Sequence, residues 1–155
     1  MVRWADLPEY EQDHAVHLSK DSVTLEPSPW VAGPPLAERR VAIVTTAGLI
    51  RRGDRPFTKS ADDYRIIPED YDARDLVLSH ISINFDRSGF QNDWNVVFPI
   101  DRLRELAAEG VIGSVADYHY SFLGSTKPAE MEASARQLAG VLKDDGVNAV
   151  LLVPI

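Results

Sequence analysis

The chain has 155 residues and a formal net charge of −8, with 16 Lys and Arg against 24 Asp and Glu. This acidic balance argues against a general binder of nucleic acid or anionic membranes, because phosphate contacts need clustered Lys and Arg. The sequence contains no cysteine, which excludes disulfides, thiolate metal ligands and a cysteine nucleophile within it. The first residues carry acids rather than a secretory signal, and no apolar run approaches the ~20 residues of a membrane span, so we expect a cytoplasmic protein.

Residues 1–40 are predicted to form an irregular N-terminal segment, followed by one domain that spans residues 41–155. A short helix is expected around Glu9–His17, and the prolines that follow forbid a long one (Pro27, Pro29, Pro34 and Pro35). His14 and His17 are three residues apart and could share a helical face as metal ligands. Because no third ligand follows at a recognisable spacing, we interpret them as surface histidines.

Three apolar segments predict strands. Residues 40–47 form a β-branched, nearly continuous apolar run typical of a strand buried on both faces, and Gly48 ends it. Residues 76–83 predict a second strand, and residues 147–153 a third, also buried. The polar segment 49–73 between the first two is too long for an idle loop in a compact domain and is expected to cover something.

Two helices are predicted between the later strands. The first spans Asp101–Glu109, with Gly110 as its left-handed stop, and the second spans Pro128–Asp144, with Gly146 after it. Helices that alternate with apolar strands imply crossover connections. The sequence therefore predicts an α/β fold, a single domain with a mostly parallel sheet flanked by helices.

Three features would meet at the carboxyl edge of such a sheet, where α/β proteins bind ligands. Gly48 and an Arg-rich loop leave the first strand, His80 and the loop through Arg87 leave the second, and Pro154 and Ile155 leave the third. This convergence requires only that the three strands be parallel. A small-molecule site at this edge is the resulting prediction.

His80 is the first candidate within that site. A histidine between serines at a strand exit could act as a general base or orient a nucleophile, although a structural histidine bonded to a backbone carbonyl fits equally well. Asp86, Asp93 and Asn95 could fix amines or hydroxyls of a substrate. Asx side chains also cap turns and helices, so loop structure is the alternative for each of them.

His119 lies between Tyr118 and Tyr120 in a segment that could form a short strand, where it would point opposite to both tyrosines. Together with His80 and Asp86 it offers the ligand types of a metal site. The spacing matches no known signature, so no metal site is predicted and this set remains an alternative.

Several strings of the sequence resemble a known family. NVVFPIDRLRELAAEGVIG at residues 95–113, HYSFLG at 119–124 and LKDDGVNAVLLVP at 142–154 resemble the glycine/sarcosine/betaine/D-proline reductase family, selenoprotein B type. The resemblance extends from about Val41 to Pro154 and includes TTAGLIRRGDRPF and SHISINFDR. The first 40 residues add little to it.

The resemblance implies an oxidoreductase subunit that cleaves a C–N bond of a small amine or amino-acid-like substrate. In that family a selenocysteine or cysteine follows the final VLLVP-type strand, which here means downstream of Ile155. A pyruvoyl-containing partner subunit and a thiol-reducing partner protein are also implied. His80 would then help to hold the selenol or thiol ionised, while Asp86, Arg87 and Gly48 would contribute to substrate binding.

The sequence departs from the family at one point, since it contains no cysteine and ends where the reactive residue is expected. A UGA codon read as a stop, a deliberately shortened chain and a natural short form would each explain this. The chain as given is expected to be inactive, and the alternative function is a non-catalytic binding or assembly protein. An exposed apolar edge at the last strand would favour a homo-oligomer.

Overall fold

The computed structural model describes residues 3–20, 31–82 and 85–155. The chain divides into two compact units, residues 1–31 and residues 32–155. In the first unit a 3₁₀ turn at Trp4–Asp6 precedes helix α1, Glu9–Lys20, which confirms the short helix expected there. Pro27 and Pro29 lie outside the described residues.

In its described residues, the second unit contains seven strands and three α-helices, besides short 3₁₀ turns. The strands are β1 (Arg40–Thr45), β2 (Leu49–Arg51), β3 (Arg65–Pro68), β4 (Leu76–Leu78), β5 (Ser114–Val115), β6 (Tyr118–Ser121) and β7 (Ala149–Val153). The helices are α2 (Ser88–Asn92), α3 (Ile100–Ala108) and α4 (Pro128–Asp144). The positions predicted for α3 and α4 are confirmed, with α3 starting and ending one residue earlier than expected.

The main sheet has five strands and is centred on β1. β7 pairs with one side of β1, and β5 and β6 pair in succession with the other side, all of them parallel to it. β3 then pairs with β6 in the antiparallel sense. The α/β class is therefore confirmed, and the sheet is mixed, with one antiparallel strand at its edge.

Helices pack on both faces of this sheet. Val41 and Ile43 of β1 share a buried cluster with Ile100 and Leu103 of α3. Val44 points to the other face, because side chains alternate along a strand, and it packs in the cluster that contains Leu138 of α4. The sheet is thus the middle layer, and its strand ends are left free to form a site.

The prediction of a parallel strand at residues 76–83 is wrong. Only Leu76–Leu78 is a strand, and it pairs antiparallel with β2 in a separate two-stranded sheet. The apolar run ends at Ser79, whose N–H donates to the carbonyl of Gly48 at 2.8 Å and whose hydroxyl accepts from the N–H of Phe57 at 2.9 Å. These bonds hold the chain beside the β1–β2 turn instead of extending the main sheet; Ile83 lies outside the described residues.

The prediction that the last strand is buried is also wrong. β7 is hydrogen-bonded to β1 on one side only, and among the described residues no strand pairs with its other side. Val150, Leu151 and Leu152 are consequently exposed. An uncharged apolar run is typical of a central strand, but whether it is covered depends on neighbouring elements that the run itself does not specify.

None of the helices in the described part of the chain is long and apolar enough to cross a bilayer.

Candidate functional site

A cavity of about 210 Å³ lies beyond the carboxyl ends of β1, β6 and β7. Its lining residues come from three separate segments of the chain: His80, Ser82, Phe85, Gly124, Ser125 and Ile155. Gly124 follows β6 and Ile155 follows β7, whereas His80 reaches the cavity from the small β2–β4 sheet. The cavity lies at the sheet edge where the sequence predicted a ligand site, although β4 takes a different route to it.

One wall of the cavity is fixed by hydrogen bonds among Thr46, Gly124 and Ile155. The Thr46 hydroxyl accepts from the N–H of Ile155 at 2.8 Å and lies 3.3 Å from its carbonyl oxygen. The N–H of Gly124 donates to the Thr46 carbonyl at 2.8 Å. A Cβ on Gly124 would lie 2.5 Å from the carbonyl oxygen of Ile155, so only glycine permits this close backbone approach.

His80 also lines the cavity and is buried, with 6% of its surface exposed. Its ring lies 4.8 Å from the ring of Phe85, centroid to centroid. Within the described part of the chain, its Nδ1 atom is buried without a hydrogen-bond partner. A buried nitrogen of this kind is costly unless a ligand or a reacting group satisfies it.

The protonation of His80 follows from its surroundings. Burial lowers its pKa below the usual 6.5, hydrogen bonding to the backbone of Ala47 opposes that shift, and the charge of Arg87 adds to the lowering. Hydrogen bonding raises a histidine pKa when the ring donates to a carbonyl, so we assign the ring proton to Nε2. At neutral pH the unpartnered Nδ1 is therefore a lone-pair acceptor beside the cavity, suited to take a proton.

Gly48 acts on the site through the backbone. Its φ of 68° lies in the left-handed region, and a Cβ there would be 3.2 Å from the Cα and N atoms of His80. Glycine thus lets the turn between β1 and β2 pass close to the backbone of His80. The structure brings these two predicted site residues together.

Arg87 and Asp86 organise the loop that follows His80. The Arg87 guanidinium donates to the carbonyl of His80 at 2.6 Å and lies 3.5 Å from the carbonyl of Ser82. Asp86 accepts from the N–H of Ser88 at 2.8 Å, and hydrogen bonds from Ser88 lower its pKa. Arg87 therefore holds the backbone of two residues that line the cavity, whereas Asp86 caps the start of α2; both side chains are exposed.

Asp93 and Asn95 are placed elsewhere, at the start of α3. Asp93 accepts from the N–H of Asn95 at 2.9 Å, and Asn95 donates its amide to Asp101 at 3.0 Å. The indole N–H of Trp94 donates to the same Asp101 carboxylate at 2.8 Å. These contacts support the loop-capping alternative, and neither residue lines the cavity beside His80. A role for them in substrate binding stays a prediction.

His119 lies in the predicted short strand, β6, and is completely buried. Its Nδ1 accepts from the N–H of Ile43 at 3.0 Å, and its ring meets that of Phe98 edge-on at 5.5 Å. Burial lowers its pKa to about 4, with further lowering from Arg104 and Arg40. This arrangement makes His119 a neutral core residue that replaces a missing backbone acceptor between β5 and β6.

The metal alternative formed by His80, Asp86 and His119 is not supported. Across residues 3–20, 31–82 and 85–155 there is no group of three His, Asp or Glu side chains that could hold an ion. The physical reason is that the Nδ1 lone pair of His119 is already engaged with β1, inside the core.

Sequence reasoning missed Thr46, Gly124 and Ser125. A signal for the last two is visible in hindsight, because Gly124 and Ser125 directly follow an apolar strand and precede the helix that begins at Pro128. A strand, a glycine and a helix start in succession indicate a tight turn at the sheet edge. Thr46 carries no such signal, since its role depends on where β7 ends.

Comparison with known proteins bears on this site. The family described as glycine/sarcosine/betaine reductase selenoprotein B matches residues 9–154. The chain belongs to this family. The match includes β7, β6 and the His80 segment, so every residue that lines the cavity except Ile155 lies within the matched region.

Individual relatives agree with the family assignment. The D-proline reductase subunit gamma of Acetoanaerobium sticklandii is 36% identical over 120 residues, which cover 76% of this chain and 49% of that protein. The betaine reductase complex component B subunit beta of Peptoclostridium acidaminophilum is 33% identical over 126 residues, covering 76% and 28%. The glycine reductase complex component B subunit gamma of Symbiobacterium thermophilum is 36% identical over 124 residues, again covering 76% and 28%.

The chain therefore spans about half the length of the first of these relatives and less of the others. No solved structure matches it significantly.

Proposed function

We propose that this chain is a component of a reductase complex that cleaves a C–N bond in a small amine or amino-acid-like substrate. Family membership supports this, as do relatives that are named as components of D-proline, betaine and glycine reductases. The observation that carries the proposal is the unpartnered, buried Nδ1 of His80 in the cavity at the end of β7.

The position of this nitrogen matches the chemistry that the family resemblance implies. That resemblance puts a selenocysteine or cysteine after the last strand, and Ile155, the residue after Pro154, shares the cavity with His80. Because the ionised selenol or thiol is the nucleophile, a neutral histidine there would accept its proton. Arg87, which donates to the carbonyl of His80, would then position the polar end of the substrate.

The proposed reaction has two steps. The selenolate or thiolate attacks the carbon bound to nitrogen, and the C–N electron pair leaves with the nitrogen, which takes up a proton. One thiol of a dithiol in a reducing partner protein then attacks the selenium or sulfur, and the electron pair of the C–Se or C–S bond leaves with the carbon, which takes up a proton. The second thiol displaces the selenol or thiol, so that the dithiol becomes a disulfide. Since the 155 residues contain no cysteine, we expect them alone to bind substrate without turnover; loss of a nucleophile costs about six orders of magnitude in rate in a well-studied protease.

The binding half of the proposal can be tested on the chain itself. Glycine, sarcosine, betaine and D-proline would be titrated by calorimetry, with the His80 ring signals followed by NMR. We expect at least one of them to bind and to shift the His80 signals, and His80→Ala to weaken that binding. The matched control is His14→Ala, at an exposed histidine of α1. If none of the four ligands binds, or if one binds with equal affinity to the His80 variant, the proposal fails.

A further inference from the structure

The two outer strands of the main sheet differ in how they are protected. β3 contains Arg65 and Pro68 and is followed by Glu69 and Asp70. Charged residues and proline on an edge strand prevent it from pairing with other chains. β7 is the opposite case, because residues 147–155, VNAVLLVPI, carry no charged side chain.

The apolar side chains of β7 are open to solvent. Leu152 is 70% exposed, Val150 41% and Leu151 38%. The N–H of Thr46 donates to the carbonyl of Val153, which turns the backbone groups of alternate residues toward β1. The N–H and C=O groups of Val150 and Leu152 therefore point away from β1, toward an edge on which no described strand lies.

We propose that β7 pairs antiparallel with β7 of a second copy of this chain, about a two-fold axis at Leu151. In this register Val150 lies opposite Leu152 of the second copy, and the outward backbone groups of both residues form the ladder. Leu151 lies opposite its own counterpart in a pair that is not hydrogen-bonded. Beyond these, Asn148 lies opposite Pro154, which lacks an N–H and ends the ladder.

The charge pattern favours a second copy in this register. Each chain carries a net charge of −8, so most surfaces of two copies repel each other. Residues 147–155 are uncharged, and every cross-strand pair in the two-fold register joins residues from this segment. No like charges are therefore brought face to face along the ladder, which is the arrangement that destabilises strand pairing.

The symmetry also limits the assembly. A two-fold contact uses the same edge of both copies, so the association closes at two. The other end of each sheet is β3, whose proline and charges oppose further addition. The result is one continuous sheet across a dimer, with a cavity at the end of each β7 strand.

Because residues 1–155 contain no cysteine, single cysteines introduced into them report the register directly. In Leu151→Cys the two Cα atoms would be about 4.5 Å apart, the spacing of a non-hydrogen-bonded pair, which lies within the range of a disulfide. In Leu152→Cys each cysteine lies opposite Val150 of the other copy, two residues away from the other cysteine. The two cysteine Cα atoms are therefore more than about 7 Å apart, too far for a disulfide. The control thus has the more exposed cysteine but the wrong register.

The experiment combines this cross-linking with light scattering of the 155-residue chain. We expect a species of about 34 kDa, twice the 17.2 kDa of one chain. Leu151→Cys should give a disulfide-linked dimer on mild oxidation, at least about tenfold more than Leu152→Cys. Leu152→Lys should convert the dimer to monomer, whereas Ile66→Lys on β3, at a residue 44% exposed, should leave it intact.

Three outcomes would overturn the proposal. The chain could be monomeric at every concentration at which it stays soluble, the two cysteine variants could cross-link equally, or Ile66→Lys could dissociate the dimer as well as Leu152→Lys does. Circular dichroism of each variant shows whether it is folded. Because both lysines replace exposed side chains, we expect all variants to fold, and the readout does not depend on reductase activity.

Discussion

His119 provides a direct test of how the sheet is held together. Its Nδ1 accepts the N–H of Ile43 in the centre of β1, and the ring is completely buried. Protonation would remove this acceptor and place a charge in the core. Because of this cost, burial lowers the pKa of His119 from 6.5 to about 4. The stability of the fold therefore depends on pH.

The sign and the size of the effect follow from proton linkage. Between pH 6.5 and about 4 the unfolded chain binds a proton at His119 and the folded chain does not, so stability falls as the pH is lowered through this window. A tenfold change in proton affinity is worth about 1.4 kcal/mol. The full window, from the ordinary pKa of 6.5 to about 4, corresponds to about 3 kcal/mol of unfolding free energy.

The assay is urea unfolding of the wild type and of His119→Asn at pH 7.5 and at pH 4.5. Asparagine can keep an acceptor near the position of Nδ1 but cannot titrate. Its loss of ring packing against Phe98 should make it less stable at pH 7.5, by about 1–3 kcal/mol.

Between the two pH values, the wild type should lose about 2–3 kcal/mol more than His119→Asn does. Comparing the two proteins cancels the other groups that titrate in this range, and His14→Asn, at an exposed position of α1, serves as the control. Equal losses in the wild type and in His119→Asn would refute the placement of a neutral His119 in the core.

Three further substitutions test the cavity wall and the start of α3 by urea unfolding. Gly124→Ala forces a Cβ to within 2.5 Å of the carbonyl oxygen of Ile155 and should cost about 1–3 kcal/mol, whereas Gly140→Ala in α4, where nothing lies within 4 Å, should stabilise by about 0.5–1 kcal/mol; equal effects would contradict the close approach. Thr46→Val removes the hydroxyl that binds Ile155 and should cost about 1 kcal/mol, and an unchanged stability would show that this contact does not form. Asn95→Ala removes a cap of α3 and should also cost about 1 kcal/mol; a loss of ligand affinity without a loss of stability would instead indicate substrate binding.

Much of the framework could be predicted from the sequence, because local signals were strong. α4 begins at a proline and ends before a glycine, and β1 is a β-branched run, so their bounds follow from short-range chemistry. What failed depended on distant partners. Residues 76–83 have strand-like composition, yet the hydrogen bonds of Ser79 to Gly48 and Phe57 divert them from the main sheet.

In the candidate site, too, local signals could be predicted and contacts with distant residues could not. His80 and Gly48 were predicted to lie near each other, and they do so even though β4 lies outside the main sheet. Asp93 and Asn95 are close to His80 in sequence, but a network around Asp101 holds them at the start of α3. Polar residues in one loop cannot be sorted into those that face a cavity and those that cap a helix without knowing how the loop folds.

The central claim is that His80 accepts the proton of a reactive selenol or thiol that follows β7. Reading the gene past codon 155 identifies the chain that contains selenocysteine or cysteine there, and amine release by that chain, with its partner proteins and a dithiol, can then be measured for the wild type and for His80→Gln. The account predicts substrate-dependent amine release that falls about 10²–10⁴-fold in the variant. A downstream frame without such a residue, or equal turnover by both proteins, would contradict it.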